Sequence, residues 1–241
     1  MKAYRVLLSL AIVGAVFAHA NVARALTVDV YTSDGIFTGL TRTFEAEGRI
    51  GNHQANGTFE ADLGPSTANP AQTAQRVMTS GQAFDFSITY NPATSVAELY
   101  VQHAVPATLQ YTVLPPLDGV ATDALFLRVR AVDAANDTML LSNLVLDGVS
   151  ISNLSAGLNT GNGDLRIFRL TGPELLDGFT LTGQATMTWG TGGGAPQNSQ
   201  LAFQIKGVDL TPVPLPAAMW LFGSGVAALA GLARRQGLLW V

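Results

Sequence analysis

The sequence predicts an all-β protein, an antiparallel β-sandwich of jelly-roll-like character. Three observations carry this. Apolar and polar residues alternate with period two in segment after segment, the pattern of strands with one buried and one wet face. Turn dipeptides recur between these segments: Asp34-Gly35, Asn56-Gly57, Asn91-Pro92, Asp118-Gly119, Asp147-Gly148, Asn162-Gly163 and Asp177-Gly178. No strand–helix–strand alternation appears, so a parallel sheet is not expected.

Taken in order, residues 1–25 read as a signal peptide. Lys2 and Arg5 form a positive start, Val6 to Ala18 is a short apolar core, and small residues follow at Ala18-His19-Ala20 and Ala23-Arg24-Ala25. The second site is preferred, because Leu26 opens a strand-like run. Residues 26–211 form the sandwich domain. Phe59, Ala61 and Leu63 alternate with Glu60 and Asp62; Phe84, Phe86, Ile88 and Tyr90 alternate with Asp85, Ser87 and Thr89. Leu181, Ala185, Met187 and Trp189 oppose a wet row of Thr180, Thr182, Gln184, Thr186 and Thr188, and threonine suits a strand. Leu201, Phe203 and Ile205 oppose Ala202, Gln204 and Lys206. Within this domain only Ala71 to Met78 suggests a helical turn.

Residues 212–235 form a tail of three parts. Val213-Pro214-Leu215-Pro216-Ala217 is held extended by its two prolines, which lack the amide donor and disfavour helix before them. Residues 217–233 are uncharged and predict a single transmembrane helix, ~17 residues being the short end for a bilayer. Arg234 and Arg235 then act as a stop and favour the cytoplasmic side. Residues 236–241 are a short extension. This order of motif, apolar helix and arginines resembles the PEP-CTERM sorting signal, in its VPLPA variant, of exported Gram-negative proteins; the usual Glu between the prolines is Leu215. The resemblance implies an exosortase as partner, cleavage near the motif, a membrane-bound intermediate and a final place at the cell surface or in the extracellular matrix. The body also looks like the exported sandwich domains that occur with interchangeable C-terminal anchors, a likeness of style that implies no chemistry.

Composition narrows the function. Between Leu26 and Pro216 eight basic residues stand against all 17 acidic ones, a net charge near −9, with no basic run, so nucleic acid is not an expected partner. The chain has no cysteine, which removes disulfides, thiolate ligands and cysteine nucleophiles. Neither G-x-S-x-G nor H-E-x-x-H occurs. His53 falls in a polar loop and His103 at a strand end, so neither is read as catalytic. Gly190-Thr191-Gly192-Gly193-Gly194 lacks the Lys and Ser/Thr of a phosphate loop and reads as a hairpin connection. No cofactor is expected. Asn159, Asn162 and Asp164 form a weak calcium candidate, since oxygen-bearing side chains between glycines can wrap a hard cation; Asp133, Asn136 and Asp137 form a weaker one.

Glu45 and Glu47 share one strand face, as do Glu60 and Asp62, and such pairs on a wet face are expected to be solvated. Arg128 and Arg130 also share a face, suited to pairing with those carboxylates or to holding an acidic sugar. The expected function is therefore a non-catalytic structural or interaction role outside the cell, not an enzyme. A carbohydrate-binding module of the exopolysaccharide matrix is the alternative, with Tyr31, Tyr100 and Phe126 as the outward aromatics.

Overall fold

The computed structural model describes residues 26–50, 58–113, 121–132, 137–157, 164–190, 196 and 200–210. The expected signal peptide, the tail with its expected helix, and the extension lie outside the described residues; no described helix is long and apolar enough to cross a membrane.

Among the described residues fourteen strands make two antiparallel sheets. In chain order they are β1 (Thr27–Tyr31), β2 (Thr41–Ile50), β3 (Thr58–Gly64), β4 (Gln72–Val77), β5 (Ala83–Asn91), β6 (Val96–Val101) and β7 (Thr108–Thr112). Then come β8 (Ala124–Ala131), β9 (Thr138–Leu146), β10 (Val149–Ser150), β11 (Leu154–Ala156), β12 (Asp164–Thr171), β13 (Phe179–Thr188) and β14 (Leu201–Asp209). The first sheet runs β1-β12-β8-β14-β2-β3-β4 and the second runs β10-β9-β13-β5-β6-β7, with β11 also on β9. The sheets pack face to face, β3 against β6 and β7, β8 and β14 against β9. This is the expected β-sandwich.

The alternation explains the core. Phe44, Ala46 and Ile50 of β2, Leu201, Phe203 and Ile205 of β14, and Phe84, Phe86 and Ile88 of β5 are all buried between the sheets. Aromatic rings bridge the layers: Phe59 meets Phe84 edge-on at 4.9 Å between centroids, and Phe86 lies 5.2 Å from Phe203. Gly48 makes room for two of them, since a Cβ there would overlap the Phe203 ring and lie 2.8 Å from Phe59 Cζ.

Two expectations are corrected. Residues Ala71 to Met78 are not a helical turn. They contain β4, whose Ala74 and Arg76 are buried at period two and which pairs with β3 from Thr58↔Val77 to Leu63↔Gln72. Pairing with a neighbour outweighs the helix propensity of Ala, Gln and Arg. The second correction concerns the outer face of the first sheet, which is not uniformly wet. A 3-10 turn, Asp34–Phe37, lies over it, and Tyr31, Ile36, Phe37 and Leu40 pack on Ala124, Phe126, Ile167 and Val208 as a small outer core. Phe126 does face outward, but it is wholly buried there, edge-on to Phe37 at 5.2 Å.

Candidate functional site

Beside that outer core the same face carries the densest set of charges among the described residues. Its construction follows from register. On β2, Glu45, Glu47 and Arg49 point outward at every second position; β3 adds Glu60 and Asp62, β14 adds Gln204 and Lys206, and β8 adds Arg128 and Arg130. Antiparallel pairing sets Gln204 opposite both Glu47 and Arg128, Glu47 opposite Asp62, and Arg49 opposite Glu60. Residues on one face at neighbouring positions of adjacent strands are within reach of each other.

Arg49 is the hub. Its Nε and Nη2 donate to Glu60 Oε2 at 2.9 and 2.6 Å, its Nη1 donates to Glu47 Oε2 at 3.0 Å, and its Nη2 lies 3.0 Å from Asp62 Oδ2. Asp62 Oδ1 accepts from Thr73 Oγ1 at 2.8 Å, whereas Oδ2 has no well-directed hydrogen bond and is held by charge alone. Gln204 Nε2 donates to Glu47 Oε1 at 3.0 Å. Farther along, Lys206 Nζ pairs with Glu45 Oε1, and Arg42 Nη1 donates to Glu45 Oε2 at 3.0 Å. Arg128 grips Asp34 with two parallel bonds of 2.7 and 2.8 Å. That fork is the strong, geometrically specific form of an ion pair, and it fastens the 3-10 turn to the sheet.

Glu45, Glu47 and Asp62 are each no more than 2 % exposed, so these pairs are not the solvated ones the alternation suggests. The covering segments explain it: the 3-10 turn on one side, and on the other the chain after β3, whose Thr67 N–H donates to Glu45 Oε2 at 3.3 Å. Burial penalises the charged form and holds the Glu47 and Asp62 carboxyls above their ordinary range, although Gln204 and Thr73 respectively, together with Arg49, pull them back down. Asp34 behaves oppositely, held below the ordinary range by its hydrogen bonds from Arg128.

Between the covers lies a cleft of about 540 Å³, walled by Phe37 and Thr67 and lined by Arg42, Arg49, Arg128, Arg130, Lys206, Asp34, Glu47 and Gln204. Its size is that of small-molecule sites. Arg128 and Arg130 do share this face, as their spacing predicts. Arg128 takes Asp34, a partner from a distant segment. Arg130 makes no ion pair or side-chain hydrogen bond among the described residues.

The outer face of the second sheet has a shallower groove of about 380 Å³, where Tyr100 stands beside Asp85, Ser87, Asn143, Thr182 and Gln184. An amide ladder crosses it, Asn143 Nδ2 donating to Gln184 Oε1 and Gln184 Nε2 to Asp85 Oδ1, both at 2.9 Å. Tyr100 is 37 % exposed, as an outward aromatic should be. Tyr31 is half-buried, with the Arg169 guanidinium over its ring at 5.3 Å.

The other sequence candidates are scattered. Asp164 begins β12 and pairs with Arg166 at 3.2 Å; Asn159 and Asn162 lie outside the described residues. Asp137 is buried just before β9, and Asp133 and Asn136 lie outside. Among the described residues no three His, Asp or Glu side chains are grouped to hold a metal ion. His103 sits in the turn after β6 with φ 61°, and His53 lies outside the described residues, as do residues 213–217, Arg234 and Arg235. No protein-family model matches this chain, and no curated protein resembles it significantly.

Proposed function

We propose that this is an exported surface or extracellular-matrix protein with a non-catalytic, interaction role, sorted and cleaved by an exosortase. The single observation that carries it is the ordered tail: Val213-Pro214-Leu215-Pro216-Ala217, an uncharged stretch over 217–233, then Arg234-Arg235. On this reading residues 1–25 are a signal helix that is removed, residues 217–233 cross the inner membrane until processing, and the arginines hold the cytoplasmic side. The body is the jelly-roll-like kind of sandwich, carried outward as cargo.

The test is fractionation of cells with and without the exosortase. The expected result is a shorter mature chain in the matrix of the parent strain and a full-length, membrane-bound chain in its absence. Replacing Pro214 and Pro216 with alanine should spare insertion yet block trimming. Normal trimming of that variant would make the tail a plain anchor.

A second reading, a secreted carbohydrate-binding module, is favoured by one specific observation. The body has a cleft of about 540 Å³ whose lining is polar and charged, the place where a hydroxyl-rich ligand can exchange its hydrogen bonds with water for bonds to protein. A glycan array with no signal above background would remove it.

A further inference from the structure

The carbohydrate-binding reading leaves open which sugars the cleft would take, and the balance of donors and acceptors in its lining bears on that. Eight basic residues occur between Leu26 and Leu210 and five of them line this one cleft; Arg42, Arg49, Arg128 and Lys206 are ion-paired with Asp34, Glu45, Glu47, Glu60 and Asp62, whereas Arg130 has no ion pair among the described residues. Each oxygen of the two carboxylates in the lining already accepts one hydrogen bond from the protein. Asp34 uses both on Arg128, and Glu47 uses one on Arg49 and one on Gln204. A guanidinium carries five N–H groups in a fixed fork. Arg128 spends two on Asp34, Arg42 directs one at Glu45 and remains 44 % exposed, and Arg130 spends none on a described side chain. The lining therefore keeps unspent guanidinium N–H donors, on Arg130 above all, which suits a ligand that brings carboxylate acceptors.

The placement of the two least-engaged arginines adds length. Arg130 stands opposite Ala202 of β14, whereas Arg42 stands opposite Val208. Six residues of strand separate those levels, ~20 Å of backbone. A basic group towards each end of such a span fits an oligomer better than a lone ion. Between them, the Gln204 side chain keeps a carbonyl oxygen free to accept from a hydroxyl, since its amide nitrogen is the atom that contacts Glu47.

We infer that the cleft binds an oligosaccharide bearing carboxylates, an oligouronate, with the Arg130 guanidinium taking a carboxylate as a two-toothed fork and Arg42 engaging a second one. This rests on the carbohydrate-binding reading and adds the class of sugar. Arg49, Lys206 and Arg128 are positioning residues, fixed by their own carboxylates, and hold the lining in shape.

The experiment is titration calorimetry of the purified full-length chain with a tetra-uronate and with a neutral tetra-glucan of equal length. Two variants accompany it: Arg130→Gln, and Arg166→Gln, which removes the same charge outside the cleft. The expected result is binding of the tetra-uronate that weakens with added salt, a loss of tenfold or more in Arg130→Gln, and less than a twofold change in Arg166→Gln. Both replaced side chains are partly exposed, and circular dichroism shows whether each variant keeps its fold. Equal binding of the neutral glucan, or equal losses in the two variants, would overturn the oligouronate assignment while sparing the broader sugar-binding reading. Absence of binding to either sugar would overturn both.

Discussion

The two outer faces of the sandwich are built from strands with the same period and yet are different surfaces. On the second sheet β13 alternates buried and open positions from Phe179 to Thr188, and its outward row is threonine and glutamine in contact with water. On the first sheet β2, β3 and β14 have the same alternation of residue types, but nearly every position is buried, on both faces. The difference lies outside the strands. A 3-10 turn from before β2 and a loop from after β3 fold back over the first sheet and turn a wet face into an interior. A strand's pattern thus fixes which residues share a face, and a distant segment decides whether that face meets water.

The comparison is broken most severely at its hub. Replacing Arg49 with methionine leaves Glu47, Glu60 and Asp62 without their common cation, and losing one partner of a buried pair costs about 3–5 kcal/mol. Arg49 is itself 24 % exposed, so a loss of about 3 kcal/mol at neutral pH is expected from urea unfolding. The pH dependence gives the sharper check. Glu47 and Asp62 have folded pKa values raised above their ordinary 4.5 and 3.8 by burial. The folded state thus keeps protons that the unfolded state has released, and the contribution of these groups is greatest in acid and falls as pH rises through the window above those ordinary values. Asp34 opposes this, its lowered pKa giving a contribution present above 3.8 and lost on acidification. The Arg49→Met deficit should therefore shrink from pH 7 towards pH 4.5, and a constant deficit would mean that the carboxylates are not its cause.

A smaller effect should follow from uncovering the outer core. Phe37 is half-buried against Phe126 and under Lys206, whose Nζ lies 4.8 Å from its ring centre. Full burial would make Phe→Ala cost about 3–5 kcal/mol, so about 2 kcal/mol is expected here, read as a lower urea midpoint at unchanged slope. The smallest effect belongs to the other sheet. Gln184→Ala removes two hydrogen bonds from an exposed ladder, and its stability should stay within about 0.5 kcal/mol of the parent. A loss as large as that of Phe37→Ala would erase the distinction between the faces.

The sandwich was legible because its signals are local. Phe84 to Tyr90, Phe59 to Leu63 and Leu201 to Ile205 stand on the faces that their alternation assigns. The β4 segment was misread because Ala, Gln and Arg favour helix, while the β3 ladder that decides the matter comes from elsewhere in the chain. The shared face of Arg128 and Arg130, and of each carboxylate pair, was also readable from period two. Their convergence in one cleft was not, since it depends on β14 entering between β8 and β2. Nor was the cover, because Ser33 to Leu40 has no alternation and its role rests on Asp34 meeting Arg128 from 94 residues away. A hint existed in Ser33, Asp34 and Gly35, a turn-forming run followed by Ile36 and Phe37, apolar residues that a solvated loop does not need.

The place of β14 has a consequence for how the protein is made. It is the last described strand and the middle strand of its sheet, with β8 on one side and β2 on the other. Without it the strand order has two separate three-stranded halves, β1-β12-β8 and β2-β3-β4, with nothing to pair them. A chain synthesised from its N-terminus delivers this keystone strand after the six other strands of its sheet. A product truncated before residue 200 would expose two unpaired strand edges, the kind that recruit other chains and proteases. Completion of the first sheet therefore requires synthesis to reach residue 209, close to the C-terminal end of the described chain.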